Sequence, residues 1–143
     1  MKAIQITAFG GPEVMQYTDL PDPVAGGSEI VLDVTAVGIN YADTHQTENS
    51  YLSPQTLPMV PGIEVTGTHA GKRYLASVSS GGYAQKAIAH EAALIPIPDA
   101  VTDQQALCML VQGSTAWHLL KTMGSVKPGQ TVVIHAAAGG VGT

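Results

Sequence analysis

The feature that most constrains this chain lies near its far end. Thr131-Val132-Val133-Ile134-His135-Ala136 is a short apolar, β-branched run that passes directly into Ala137-Ala138-Gly139-Gly140-Val141-Gly142. A brief apolar run without polar alternation reads as a strand buried on both faces, the kind found in parallel sheets. The residues after it are almost all small. A loop of this kind lets backbone approach an anion closely, and the N–H groups at the start of the following helix bind it. Against the pattern G-x-G-x-x-G, Gly139 and Gly142 match and Ala137 stands in place of the first glycine. Only Thr143 follows. A strand–helix–strand unit needs about 30 residues. The second domain is therefore expected as its first strand and loop alone, and the chain as a cut piece of a longer protein.

Upstream the signals are mainly β. Ile4 and Ile6 alternate with polar residues, Phe9-Gly10-Gly11-Pro12 turns the chain, and Val14 to Leu20 reads as a second strand. In the third strand Ile30, Leu32, Val34 and Ala36 line one face and Val31, Asp33, Thr35 and Val37 the other. Asn40 can cap a short helix over Tyr41 to Gln46. Pro54, Pro58 and Pro61 keep the following loop irregular. Ile63 to Thr68 and Tyr74 to Val78 form a hairpin across His69-Ala70-Gly71-Lys72, Tyr83 to Ala89 returns as a strand, and Leu94 to Pro98 is extended. Thr102 and Gln105 make a capping box before Ala106, Leu107, Leu110 and Val111. Gly113 is expected to interrupt that helix, with a second running from Ser114 to Met123. The chain thus divides into a β-rich domain over 1–101 and a segment over 102–143 with two helices and the terminal strand and loop.

Composition removes several functional classes. The 143 residues are 45% hydrophobic and 12% charged, with 16 glycines and 9 prolines, which suits short strands joined by turns. The formal net charge is −5 and the six Lys and Arg residues are scattered, so no basic patch for nucleic acid or anionic membrane is visible. No apolar stretch approaches the roughly 18 residues of a membrane span. Cys108 has no second cysteine to pair with and reads as a buried small hydrophobe. A cytoplasmic location is the expectation.

Six ordered motifs carry a resemblance. They are Phe9-Gly10-Gly11-Pro12-Glu13-Val14, Gly38-Ile39-Asn40-Tyr41-Ala42-Asp43, Pro61-Gly62-Ile63-Glu64-Val65-Thr66-Gly67, Gly81-Gly82-Tyr83-Ala84, Gln112-Gly113-Ser114-Thr115-Ala116, and the run from His135 to Gly142. Together they resemble the medium-chain dehydrogenase/reductase superfamily, and within it the quinone oxidoreductase group. The resemblance implies an α+β chain: a GroES-like β-barrel, then two helices and the first strand of a truncated Rossmann domain. It implies hydride transfer from NADPH, with NADH as the alternative, to quinones or other conjugated carbonyls. An enoyl or acryloyl reductase on the same scaffold and a non-catalytic GroES-like binding module are the rival readings. The chain by itself is expected to be inactive. A homodimer is the assembly implied, through the Rossmann domain.

The same resemblance bears on zinc. Zinc-dependent members hold the metal with a Cys after the third strand and a His before the Glu of a Gly-His-Glu motif. Here Asn40 stands at the Cys position and Ile63 at the His position, ahead of Glu64. Tetrahedral zinc needs three or four N, S or O ligands, so no metal is expected. His45, His69, His90, His118 and His135 read as surface or packing residues. By resemblance Asn40 and Asp43 lie beside the nicotinamide and quinone, with Tyr51 as a wall or hydrogen-bond donor. Thr115 approaches the cofactor, and Gly139, Gly140, Val141 and Gly142 face its pyrophosphate. Each has a plainer alternative: a helix cap for Asn40, a helix-stabilising charge for Asp43, loop packing for Tyr51, and a bond within its own helix for Thr115. Two departures stand out. Gly71-Lys72-Arg73-Tyr74 replaces a longer hairpin ending in Gly-Asp-Arg-Val. Gln112 stands where several relatives carry Lys, which leaves NADPH against NADH open.

Overall fold

Strand β3, Glu29–Val37, organises the first half of the molecule because it is long and apolar on one face: Ile30 and Leu32 are buried while Asp33 and Thr35 are exposed. In the computed structural model, which describes residues 1–143, it pairs on both sides. One neighbour is β4 (Glu64–His69), the other β6 (Lys86–His90), both antiparallel. Beyond β4 lie β5 (Lys72–Ser77) and β7 (Leu94–Pro96), giving the order β6-β3-β4-β5-β7 in a curled five-stranded sheet. A register shift between Val34 and Ala36 bends β3 where it pairs with β4. The hairpin between β4 and β5 turns through Ala70 and Gly71, both at positive φ, as a tight two-residue connection requires.

A second ribbon pairs β1 (Lys2–Gln5) with β2 (Gln16–Asp19). It is tied to the rest by bridges from Ala3 to Ala84 and from Ile6 to Met59. The core is the cluster of Ile30, Leu32, Val65, Ala76, Val78, Ala87 and Ala89, drawn from alternating positions of four strands and the turn after β5. Helix α1, Tyr41–Thr47, follows β3.

Helix α2, Asp103–Cys108, starts with the capping box read from the sequence: Thr102 N–H donates to Gln105 Oε1 (2.9 Å) and Gln105 N–H to Thr102 Oγ1 (3.2 Å). Its first turn is pinned to the sheet, since Asp103 accepts from Thr35 Oγ1 (2.6 Å) and Arg73 Nε (3.0 Å). Those two contacts hold the Asp103 carboxyl below the usual carboxylate range. The helix buries Ala106 and Leu107, and the next position along, Cys108, rotates out to solvent. The expected burial of Cys108 is thus corrected.

The chain divides into two compact units, Met1–Leu107 and Cys108–Thr143. In the second unit the backbone is helical over Met109–Gly113, α3 (Ser114–Trp117) and His118–Met123. Gly113 does not interrupt it. Its φ and ψ of −66° and −43° are helical, and a glycine there costs only about 1 kcal/mol relative to alanine. The turns on either side of α3 are instead widened, in keeping with Ser114 Oγ bonding Leu110 O and Thr115 Oγ1 bonding Val111 O (2.6 Å). Gly124 N–H donating to Leu119 O (2.8 Å) closes the run.

The strand expected over Thr131–Ala136 pairs with nothing, and Val132, Val133 and Ile134 are exposed. The physical reason is simple. A parallel strand exists only as part of a ladder, and no strand pairs with this segment. No helix is long and apolar enough to cross a membrane.

Candidate active site

The last residue of β3, Val37, delivers the chain to Gly38 and then to Asn40, which caps α1 in a capping-box arrangement with Asp43. The Asn40 N–H donates to Asp43 Oδ2 at 2.8 Å. Asn40 is 8% exposed and Asp43 2%. From the other side Glu64, at the head of β4 and 1% exposed, accepts from Asn40 Nδ2 at 2.9 Å. Glu64 can lie there because residue 38 is glycine: a Cβ on Gly38 would fall 2.5 and 2.6 Å from Glu64 Cγ and Cδ. The Asn40 amide is therefore held by a buried carboxylate, and its backbone by another.

Tyr83 completes the cluster. Its hydroxyl donates to the same Asp43 Oδ2, at 2.7 Å. Burial chiefly, then the hydrogen bond to Asp43 and the charges of Asp43 and Glu64, push the phenol well above its ordinary 10.0. The folded unit thus keeps a proton that the unfolded chain releases near that value. The sign follows: this stabilisation is present below about pH 10 and is lost as pH rises further. An absorbance titration at 295 nm is expected to show one of the five tyrosines ionising only as the protein unfolds, and Tyr83→Phe to remove that step. All five ionising together would contradict it.

Ile39 and Tyr41 are exposed on either side of Asn40, and Tyr51 is 41% exposed in the following loop. Tyr41 meets the His45 ring edge to face with centroids 4.9 Å apart, and His45 Nδ1 lies 3.0 Å from Ser50 Oγ. Sequence reasoning named Asn40, Asp43 and Tyr51. Glu64 and Tyr83 stood only as parts of motifs, without a role of their own. Ile63 supplies no metal ligand, and no three His, Cys, Asp or Glu side chains gather where they could hold a metal ion.

The chain as a whole is similar to known proteins. Residues 26–70 match the alcohol dehydrogenase GroES-like domain. A curated quinone oxidoreductase of Pseudomonas aeruginosa is 33% identical over 99% of this chain and 47% of its own length, and one from Homo sapiens is 32% identical over the same shares. Among solved structures, the quinone oxidoreductase of Thermus thermophilus, determined also in complex with NADPH, is 38% identical with a TM-score of 0.90, across 99% of this chain and 47% of that one. Across nearly its whole length the chain is therefore similar to part of the quinone oxidoreductases, and residues 26–70 are similar to the alcohol dehydrogenase GroES-like domain. The chain spans about half the length of these relatives.

In this quinone oxidoreductase relative the glycine loop of the second unit can be tested for its fit to a dinucleotide. Gly139 N–H donates to Ala136 O (2.8 Å), and Gly142 and Thr143 N–H both donate to Gly139 O (3.0 Å). The loop therefore coils into a first helical turn whose own bonds leave out the N–H groups of Gly140 and Val141. A Cβ on Gly142 would lie 2.6 Å from Ala136 O, so only glycine permits the turn. The Gln112 side chain packs on Gly140, 3.0 Å from where a Cβ would stand. Small residues with spare N–H groups suit a pyrophosphate. Thr115, by contrast, spends its hydroxyl on Val111 O within its own helix.

Proposed function

We propose that this chain supplies the substrate-side domain and the first nucleotide loop of a cytoplasmic, zinc-independent NADPH:quinone oxidoreductase. The likeness to quinone oxidoreductases over 99% of the chain carries this reading. When bound, reduced nicotinamide supplies a hydride. The chain's residues do the rest. In this reading Gly139, Gly140, Val141 and Gly142 receive the pyrophosphate, and Thr115 approaches the cofactor through its methyl and backbone. Asn40 borders the nicotinamide and quinone, oriented by Glu64 and Asp43, and Tyr51 forms a wall of the acceptor site. Asp43, being buried and hydrogen-bonded to Asn40 and Tyr83, acts by holding Asn40 and does not touch the acceptor. The fixed Asn40–Glu64 pair supports zinc independence, since an amide locked onto a carboxylate stands where zinc-dependent members have a thiolate ligand.

A chimera tests the reading. Residues 1–143 replace the matching half of the Thermus thermophilus enzyme. NADPH oxidation is expected with a quinone, at a higher kcat/KM than with an enoyl thioester and indifferent to chelators. Asn40→Ala in the chimera is expected to lower kcat/KM by roughly tenfold to a hundredfold, the effect of losing one positioned polar contact. A well-folded chimera that turns over enoyl thioesters but not quinones would move the function to the reductase alternative. Turnover by the 143-residue chain alone would overturn the expectation that it is inactive by itself.

A further inference from the structure

We propose that Tyr83 is a positioning residue: through Asp43, its hydroxyl fixes the N-terminus of α1 and with it the orientation of Asn40. The proposal rests on the reading of Asn40 given above. Three motifs far apart in sequence meet here. Pro61-Gly62 and Gly81-Gly82-Tyr83 run side by side, with Gly82 N–H donating to Gly62 O (3.1 Å) and Tyr83 N–H to Pro61 O (2.9 Å). The Tyr83 carbonyl accepts from Ile4 N–H in β1 (2.8 Å). The tyrosine backbone is therefore held from two directions, and the side chain of residue 62 is absent where the Tyr83 ring passes. The ring is aimed, not merely packed, and it ends on Asp43 Oδ2.

That oxygen is the one the Asn40 N–H also uses. The other carboxylate oxygen, Asp43 Oδ1, is buried without a hydrogen-bond partner, so Oδ2 alone joins the phenol to the helix cap. Helix α1 has seven residues, too few to hold its own direction without outside contacts. Its cap is set by two anchors: Tyr83 through Asp43 for the backbone, and Glu64 for the Asn40 amide. The raised phenol keeps its proton at any physiological pH and always donates. Asp43 and Glu64 are the ionisable groups that face it.

Nuclear magnetic resonance on the whole 15N-labelled chain tests this. In Tyr83→Phe, which preserves the ring, the Asn40 side-chain NH2 signals are expected to shift. Amide exchange over residues 40–44 should rise about tenfold or more, as for loss of a hydrogen bond to a charged group. Amides of β4 and β5 should stay as they were. Asn40 signals that do not move in a folded Tyr83→Phe protein overturn the proposal. Should that variant not fold, Asp43→Asn removes the shared charge from the other side. It is expected to move the same signals, and leaving them in place counts equally against the proposal. A chimera that folds but is silent toward quinone would count against the reaction and leave these shifts standing.

Discussion

Gly62→Ala is expected to destabilise the first unit by about 4 kcal/mol, from backbone strain of about 1–3 kcal/mol and overpacking of a similar size. The two terms have separate origins. Gly62 sits at φ +96°, where an L side chain is strained. An added Cβ would also stand 2.5 Å from Tyr83 Cδ1 and 3.0 Å from Gly82 Cα. Neither neighbour can retreat easily, because the Gly82 and Tyr83 N–H groups both bond back to this segment. Gly71 offers a control for strain alone, having φ +75° and open space around it. Gly26→Ala has neither problem and should be nearly silent. Urea unfolding followed by far-ultraviolet circular dichroism would rank them as Gly62, Gly71, Gly26. A Gly62→Ala midpoint equal to that of Gly71→Ala would show that the packing term relaxes away.

Leu32→Ala is expected to lose about 3–4 kcal/mol, the middle of the range for emptying a closed core position. Leu32 is fully buried on the strand that pairs on both sides, opposite Ala87. Its cluster neighbours Ala76, Ala87 and Ala89 are small and regular sheet holds their backbones, so little can move in to fill the gap. Leu52, of the same size but 95% exposed, is expected to change stability by no more than about 0.5 kcal/mol when truncated. A loss below about 1.5 kcal/mol for Leu32 in the same urea experiment would mean that the core collapses around the cavity.

The strands were legible because each half-buried strand carries its alternation in its own residues. The faces of β3, the hairpin at Ala70-Gly71 and the Thr102–Gln105 cap all needed only local chemistry. Gly113 was misread because glycine is a weak breaker whose effect depends on the turns around it. Cys108 was misread because composition reports how often a residue type is buried, not which way a given helix position turns. Thr131–Ala136 failed for another reason: its local pattern is that of a buried strand, but a strand is a property of a pair. In the site, Asn40 was visible as a cap, and Asp43 through the family resemblance. The roles of Glu64 and Tyr83 were not, since their partners stand 24 and 40 residues away and nothing local marks them.

The bonds that hold Tyr83 carry a consequence for the order in which the chain acquires its shape during synthesis. The first strand leaves the ribosome early, yet Ile4 waits for Tyr83 and Ala3 for Ala84, about 80 residues later. At about 5–20 residues per second that is a delay of roughly 4–16 s. Glu29 likewise waits for His90. Until then the apolar faces of β1 and β3 have only part of their native cover, and long-range pairings of this kind close slowly. The nascent chain is thus most open to misassociation in the interval before β6 emerges, and a pause in translation upstream of Gly81 would lengthen it.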